Sequence, residues 1–223
     1  MISTVQQSTG NDALDGLLGG GLDYGSITQF FGEPGGGKST LILIPVISCL
    51  KSGKGVIFFD TEGFSVERFR QIAGIGAEKL AEYLYICEPI NFEQQGAMIA
   101  ESELILKKRN IGLIVMDSAT ALYRTELGTI KEAQRQLATQ MVYILGLSRR
   151  YNFPILITNQ VYNDPDKNEL RPLGGSVLQH LSKVIVRIDK LERFRRAILV
   201  KHRSLPEGIN FDFELTEDGI KNK

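Results

Sequence analysis

Cysteine is scarce in this chain of 223 residues: only Cys49 and Cys87 are present. They are far apart and form no Cys-x-x-Cys pair, so the sequence offers neither a zinc-ligand spacing nor a disulfide framework. A chain of this length can bury a substantial core without such cross-links. We therefore expect one domain over residues 1–223 in a reducing, intracellular compartment.

Long hydrophobic runs are also missing. The longest apolar stretch, Leu41–Leu50, is interrupted by Pro45 and is too short to cross a bilayer. The residues from Met1 to Ser8 lack the basic start and apolar run of a signal peptide. These absences predict a cytoplasmic protein without a membrane partner.

The chain has no net charge, with 26 basic and 26 acidic side chains, which argues against a non-specific polycation. Charge is nevertheless uneven, because the segment 187–203 is basic and the segment after it is acidic. The basic residues of that segment are Arg187, Lys190, Arg193, Arg195, Arg196, Lys201 and Arg203. Such a patch could bind phosphate groups, or it could be the solvated face of a hairpin.

Short apolar runs rich in β-branched and aromatic residues alternate with longer helical patterns, which predicts a mostly parallel sheet flanked by helices. A short polar stretch between two late runs, Lys190–Arg196, predicts an antiparallel hairpin at the edge of this sheet. The predicted strands are Ile27–Phe31, Val56–Asp60, Tyr83–Cys87, Leu113–Asp117, Ile155–Asn159, Val184–Ile188, Ala197–Lys201 and Phe211–Leu215.

Three long helices are predicted between these strands, at Lys38–Lys51, Phe92–Arg109 and 130–150. Capping boxes formed by Asn91 with Gln94 and by Thr129 with Glu132 mark the starts of the second and third. Pro45 lies inside the first and removes a backbone donor, which predicts a kink or an early end there.

The strongest chemical signal is a phosphate-binding loop. The eight residues Gly32-Glu33-Pro34-Gly35-Gly36-Gly37-Lys38-Ser39 match G-x-x-x-x-G-K-[ST] between a predicted strand and a predicted helix that includes Thr40. Glycines allow backbone N–H groups to surround a phosphate, and the helix N-terminus adds a favourable field. Lys38 can neutralise the β- and γ-phosphates, and the Ser39 hydroxyl can bind Mg²⁺. The loop predicts Mg-ATP as ligand.

Polar side chains follow three further strands. Asp117 ends an apolar strand and is suited to the shell of a Mg²⁺ ion. Asp60 and Glu62 both follow another strand, and either could orient or deprotonate an attacking water. Their spacing alone does not choose between them. Gln160, after a third strand, is placed to sense a γ-phosphate.

These segments, in this order, resemble the RecA/RadA recombinase family over nearly the whole chain, from Ser8-Thr9-Gly10 to Gly219-Ile220. The resemblance implies a RecA-like P-loop NTPase core. It also implies that Glu62 is the catalytic carboxylate, that Asp117 is the Walker B aspartate and that Gln160 is the γ-phosphate sensor. Arg68 falls where an arginine stacks on adenine in that family.

Two DNA-binding loops are implied by the same resemblance, at 125–129 after Arg124 and at 161–173, which contains Lys167 and Arg171. The second loop is short and more acidic than basic here. With the basic hairpin residues Arg193, Arg195 and Arg196, these side chains are the candidate DNA contacts.

Only a handful of residues precede the core, where recombinases of this family carry a helical DNA-binding domain. Lys201-His202-Arg203 and Pro206 replace the recombinase ATP cap. This pattern is similar to the RadB group of archaeal recombinase paralogues. By the same likeness, Lys201 and Arg203 could reach an ATP molecule held by a neighbouring subunit, or could cap a strand end or contact DNA.

The resemblance implies a weak ATP hydrolase that acts as an accessory factor in DNA repair and homologous recombination. Its implied partners are single-stranded or branched DNA, a RadA-type recombinase, a Holliday-junction resolvase and further copies of itself. Two alternatives stay open, namely a strand-exchange filament ATPase and a KaiC-like signalling ATPase.

Overall fold

The structure is a computed structural model that describes residues 6–125, 129–164 and 169–223. Its helices are α1 (Asp12–Leu17), α2 (Lys38–Lys51), α3 (Val66–Ala73), α4 (Ala77–Ala81), α5 (Phe92–Lys108), α6 (Ile130–Tyr151) and α7 (Gly175–Leu181), with a 3₁₀ turn at Leu122–Thr125. Its strands are β1 (Gln6–Gln7), β2 (Leu22–Asp23), β3 (Ile27–Gly32), β4 (Gly55–Asp60), β5 (Leu84–Cys87), β6 (Ile111–Asp117), β7 (Ile155–Asn159), β8 (Val161–Asp164), β9 (Glu169–Pro172), β10 (Ser182–Lys190), β11 (Arg195–Lys201), β12 (Asn210–Thr216) and β13 (Gly219–Asn222).

A nine-stranded sheet with the order β13-β12-β11-β10-β3-β7-β6-β4-β5 forms the centre of the molecule. The six strands from β10 to β5 are parallel, whereas β11, β12 and β13 are antiparallel. The predicted α/β fold and all eight predicted strands are confirmed. The C-terminal hairpin is larger than predicted, because β13 adds a third antiparallel strand. The pairs β1–β2 and β8–β9 form two separate small ribbons that the sequence did not predict.

Helices cover the sheet on two faces, and each face encloses a hydrophobic core. Phe58 belongs to the core beneath α1, α2, α3 and α4, while its neighbours Ile57 and Phe59 belong to the core beneath α5, α6 and α7. Every residue of β3, β4, β6 and β7 is buried. Strands covered on both faces are expected to be continuously apolar, which explains why these strands were predictable.

Helix α2 continues through Pro45 to Lys51, so the predicted early end is wrong. A proline in a helix interior costs about 3 kcal/mol. Most side chains of α2 are buried, including Leu41, Ile42 and Val46 on the turns around the proline. Their burial against the sheet offsets the local penalty.

Capping fixes the starts of α5 and α6. The predicted box at Thr129 and Glu132 is present with both reciprocal hydrogen bonds. At α5, Asn91 accepts from the Gln94 N–H at 2.8 Å, but the Gln94 side chain accepts from Ile90 at 2.7 Å rather than from Asn91. The capping box at Asn91 and Gln94 is therefore only half formed, although α5 begins at Phe92 as predicted.

Parallel strands end at the same edge of the sheet, and this edge collects the predicted chemical residues. Asp60 is level with Asp117 on β4 and β6, and Phe31 is level with Asn159 on β3 and β7. The phosphate-binding loop follows β3 at this edge, as expected for ligand sites of open α/β sheets. Within the described residues, no helix is both long and apolar enough to span a membrane.

Candidate functional site

The loop between β3 and α2 takes a shape that requires glycine. A Cβ atom on Gly32 would lie 2.2 Å from the Ile188 carbonyl oxygen, and one on Gly36 would lie 3.0 Å from the Glu33 carbonyl oxygen. Gly37 has a φ of 96° at the N-cap of α2 and provides no side-chain cap. The first N–H groups of α2 therefore remain available to an anion such as a phosphate.

The Lys38 ammonium group is folded back over this loop. Its Nζ donates to the carbonyl oxygens of Gly32 at 2.8 Å and Glu33 at 3.0 Å. Burial lowers the pKa of Lys38, and the negative charges of Glu62 and Asp117 partly oppose that effect. The loop thus holds a positive charge beside a backbone cradle, which is a geometry that fits a triphosphate.

Asp117 is a buried carboxylate surrounded by hydroxyl groups. Its side chain is bonded to the hydroxyls of Thr158 and Ser39. Burial raises the pKa of Asp117, and the nearby charge of Glu62 raises it further. A divalent cation between Ser39 and Asp117 would compensate this unfavourable charge, and oxygen donors are the ligands that Mg²⁺ prefers. The residues present therefore fit Mg²⁺.

Asp60 and Glu62 have different environments, although they are two residues apart. The Asp60 carboxylate accepts from three backbone N–H groups, those of Glu62 at 3.2 Å, Gly63 at 2.9 Å and Phe64 at 2.5 Å. It is thereby used to shape the turn after β4. Glu62 is exposed at the tip of that turn. Of the two acids, only Glu62 directs its carboxylate away from the turn, which favours it as the residue that orients water.

Glu62 directly contacts Gln160, the residue predicted to sense the γ-phosphate. The Gln160 Nε2 donates to Glu62 Oε1 at 3.0 Å, so the two side chains form a bridge between β4 and β7. Because Lys38 and Asp117 both interact electrostatically with Glu62, all four residues lie at one edge of the sheet. The structure therefore brings together the predicted loop, metal and catalytic residues.

Several residues that support this cluster were not singled out as site residues from the sequence. The Thr61 hydroxyl donates to the Ser118 carbonyl at 3.0 Å and accepts from the Ser118 N–H at 2.8 Å, next to a cis peptide bond between Asp117 and Ser118. Asn159 is fully buried and donates to the Leu173 carbonyl at 2.6 Å. Asn159 is the last residue of β7, and its position next to the predicted sensor Gln160 was the one signal that pointed to it.

Arg68 lies on the other side of the loop, where its guanidinium is held by the C-terminal part of the chain. It donates to the carbonyl oxygens of Glu217 and Gly219, both at 2.9 Å, and to the side chain of Gln71 at 3.0 Å. Its Nε also donates to the hydroxyl of the buried residue Thr40 at 3.3 Å. The plane of the guanidinium is thus fixed close to the start of α2.

Lys201 and its neighbours are remote from this cluster within the same chain. Lys201 pairs with Ile185, which is level with Gln29 on β3, and the resulting offset puts its Cα roughly 14 Å from that of Gly32. The Lys201 Nζ donates to carbonyl oxygens at the end of α7, those of Gln179 at 2.5 Å and Ser182 at 2.8 Å. Arg203 and Pro206 are exposed in the loop that follows.

The candidate DNA contacts differ in how accessible they are. Arg193 is exposed, Arg195 is half-buried, and Arg196 forms two hydrogen bonds of 2.6 and 2.8 Å with the carboxylate of Asp212. Arg171 lines a cavity of about 540 Å³ at the base of the β8–β9 ribbon. Lys167, residues 126–128 of the first predicted loop and the side chain of Arg124 lie outside the described residues.

Comparison with known proteins gives a consistent result. The sequence profile of the Rad51 family matches residues 2–223. The chain is 54% identical over 222 residues to the DNA repair and recombination protein RadB of Methanoculleus marisnigri, covering 99% of both chains. Proteins of the same name from Methanococcoides burtonii and Archaeoglobus fulgidus are 46% and 39% identical, covering 93% and 96% of this chain and 94% and 96% of theirs.

Proposed function

The chain belongs to the Rad51 family and to its RadB group, and from this premise we propose that it is an ATP-binding accessory protein of DNA repair and homologous recombination. It binds Mg-ATP, hydrolyses it slowly and acts in the cytoplasm. The observation that carries the proposal is the convergence of Lys38, Asp117, Glu62 and Gln160 at one edge of the sheet.

Each residue of the cluster has a defined task in this proposal. The backbone of 32–39 binds the phosphates, and Lys38 neutralises them. Ser39 and Asp117 hold Mg²⁺, which supplies charge neutralisation on the phosphate oxygens. Glu62 orients the attacking water and accepts its proton, and Gln160 positions Glu62 and senses the γ-phosphate. The purine packs near Thr40 against the fixed guanidinium of Arg68.

Slow turnover is expected because neither Lys201 nor Arg203 is supplied to the cluster by its own chain. Lys201 is bonded to the end of α7 and is far from the loop of the same chain. A neighbouring copy would have to supply Arg203, with Lys201 and Pro206 beside it, to the phosphates. ATP therefore acts mainly as a ligand that biases the protein between conformations.

The RadB relatives are named as DNA repair and recombination proteins, and this supports DNA as a partner. We propose single-stranded or branched DNA, contacted through the exposed hairpin residue Arg193, its neighbour Arg195 and Arg171 of the β8–β9 ribbon. Lys167 of the second predicted loop is a further proposed contact. A RadA-type recombinase and a Holliday-junction resolvase are the proposed protein partners. Arg196 has a weaker claim to DNA, because Asp212 already neutralises it.

The test is to measure ATP binding by calorimetry, and ATP hydrolysis and DNA affinity separately, for the wild type and two variants. Lys38→Ala should lose ATP binding at least tenfold, since it removes the charge that neutralises the phosphates. Glu62→Gln should retain ATP affinity within about twofold but lower hydrolysis by about 10²-fold.

The control is Lys79→Ala, which removes an exposed lysine on α4. It should leave ATP binding, hydrolysis and DNA affinity at wild-type values. The proposal fails if the wild type takes up no nucleotide, or if its affinity for DNA and for recombinase is indifferent to ATP. Regular filaments on DNA, seen by electron microscopy, would instead favour a strand-exchange ATPase.

A further inference from the structure

The edge of the sheet opposite the Mg-ATP cluster is strongly basic. The three long helices α2, α5 and α6 all end there, and their last turns and following loops carry seven cations. We call this group the amino-edge belt; it consists of Lys51, Lys54, Lys107, Lys108, Arg109, Arg149 and Arg150. The same segments and their neighbouring loops carry three carboxylates, Asp23, Glu82 and Glu103.

Most of the belt is not neutralised by carboxylates. Glu103 is 18% exposed and forms ion pairs with Lys107 at 3.5 Å and Arg150 at 2.9 Å. Across the described residues, the other five cations have no carboxylate within 4 Å. A chain without net charge therefore concentrates positive charge on a surface that spans five parallel strands, which is roughly 20 Å at the spacing of strands in a sheet.

A cleft of about 220 Å³ opens within the belt. Two aromatic residues, Tyr83 and Tyr85, and two cations, Lys108 and Arg109, line it. Tyr83 is 48% exposed, so its ring is accessible to a ligand. At Gly55 a Cβ atom would lie 3.2 Å from the Tyr85 ring and 2.8 Å from the Ile111 side chain, so the glycine keeps this space open.

Basic residues at helix C-termini also interact favourably with the helix dipole, and that effect accounts for some of the belt. It does not account for Lys54 in the loop before β4, or for a cleft lined by two tyrosines. Rings beside cations are the combination that binds a single strand, because bases stack on the rings while the cations contact the phosphates.

We propose that the amino-edge belt and its tyrosine cleft form a binding site for single-stranded DNA. This inference rests on the proposed DNA-binding function but assigns it a surface separate from the hairpin and the β8–β9 ribbon. The belt lies one strand length, about 17 Å, from the Mg-ATP cluster. A strand bound there does not occupy the nucleotide site, so its binding can be measured without nucleotide.

The experiment is fluorescence anisotropy of a labelled 20-nucleotide oligothymidylate against intact protein, without nucleotide and over a range of salt. The double variant Lys108→Gln with Arg109→Gln should bind roughly tenfold more weakly. The slope of log K against log [salt] should become shallower by about 1.4, because two phosphate contacts are lost. Tyr83→Ala should weaken binding about fivefold or more, whereas Tyr83→Phe should bind as the wild type does.

The matched control is Lys79→Gln with Lys221→Gln, which removes the same charge from exposed positions outside the belt. It should retain wild-type affinity, and the thermal unfolding of all variants should agree within about 3 °C. Unchanged binding by the belt and tyrosine variants overturns the inference. If binding is instead lost in Arg193→Gln with Arg195→Gln, the proposed function stands and the inference alone fails; if the wild type binds no oligonucleotide, both fail.

Discussion

At the scale of single residues, hydrogen bonding to the backbone separates side chains of identical chemistry. Asp60 and Glu62 lie at the end of the same strand. The carboxylate of Asp60 accepts hydrogen bonds from three backbone N–H groups, whereas that of Glu62 accepts one from the side chain of Gln160. Asp117 differs from both because it is buried among hydroxyl groups. Its charge is unfavourable in the nucleotide-free protein, and this has a measurable consequence.

We predict that Asp117→Asn stabilises the nucleotide-free protein at neutral pH. Asparagine removes the buried charge, and its carbonyl oxygen can still accept from Thr158 and Ser39. We expect a rise in Tm of about 2–4 °C, corresponding to about 1 kcal/mol in a chain of this size. Calorimetry should also find that the variant loses the contribution of Mg²⁺ to ATP binding.

The gain should depend on pH in a defined direction. Burial raises the pKa of Asp117, so its ionisation in the folded state costs stability as pH rises through that raised value. Below the ordinary aspartate pKa of about 3.9 the carboxyl is protonated in both states and the cost disappears. The difference in Tm between variant and wild type should therefore shrink towards pH 4. A difference that stays constant from pH 4 to pH 8 would contradict this account.

The sequence predicted the site residues where the signal was local. The phosphate-binding loop is contiguous, so spacing alone identified Gly32–Ser39. The distinction between Asp60 and Glu62 needed a family resemblance, because both acids satisfy the same pattern and only the folded turn shows which one the backbone uses. Thr158 and Thr61 were not predicted as site residues, because a hydroxyl group has no distinctive spacing.

At the scale of elements, Lys201 caps the C-terminus of helix α7. Its ammonium group donates to the carbonyl oxygens of Gln179, in the last turn of α7, and of Ser182, the C-cap residue. Carbonyl groups at the end of a helix lack partners within that helix. Helix α7 follows the β8–β9 ribbon, so the end of β11 is connected to the second predicted DNA loop through this one side chain.

We predict that Lys201→Met loosens α7. Hydrogen bonds from charged groups contribute about 1.5–3 kcal/mol, so amides of 175–181 should exchange about tenfold faster or more. Hydrogen exchange read by mass spectrometry provides the measurement. Arg203→Met is the control, because that side chain is exposed and its loss should leave α7 unchanged. If the amides of 175–181 exchange equally slowly in both variants, Lys201 does not cap α7.

The secondary-structure elements that were predicted best from the sequence are the most deeply buried ones. Strands with continuous apolar runs, such as β4 and β6, were predicted within two residues of their bounds. Short elements such as α3 and α7 were missed, because seven or eight residues carry too little periodicity to identify a helix. The early end predicted at Pro45 was wrong because tertiary packing outweighed a local penalty.

At the scale of the whole molecule, the distance between Lys201 and Gly32 separates the two halves of the proposed ATPase. In the proposed function, a complete site combines the loop of one copy with Arg203 of another. Such an interface joins different surfaces of two identical chains, so each copy can both give and receive a cation.

We predict complementation between two inactive variants. Lys38→Ala cannot hold ATP, and Arg203→Ala cannot supply the cation, so each alone should hydrolyse ATP at background rate. In an equimolar mixture about a quarter of the interfaces combine an intact loop with an intact Arg203, and a matching share of wild-type turnover should return. A mixture no more active than its components would show that the cation acts within one chain or not at all.

The guanidinium of Arg68 couples the proposed purine site to a turn that is distant in the sequence. The side chain proposed to lie against the purine is anchored by the carbonyl oxygens of Glu217 and Gly219, between β12 and β13. A substitution that moved these two carbonyl groups would release the guanidinium while every residue from Gly32 to Ser39 stayed intact. Nucleotide affinity would then change through a turn that never touches the phosphates.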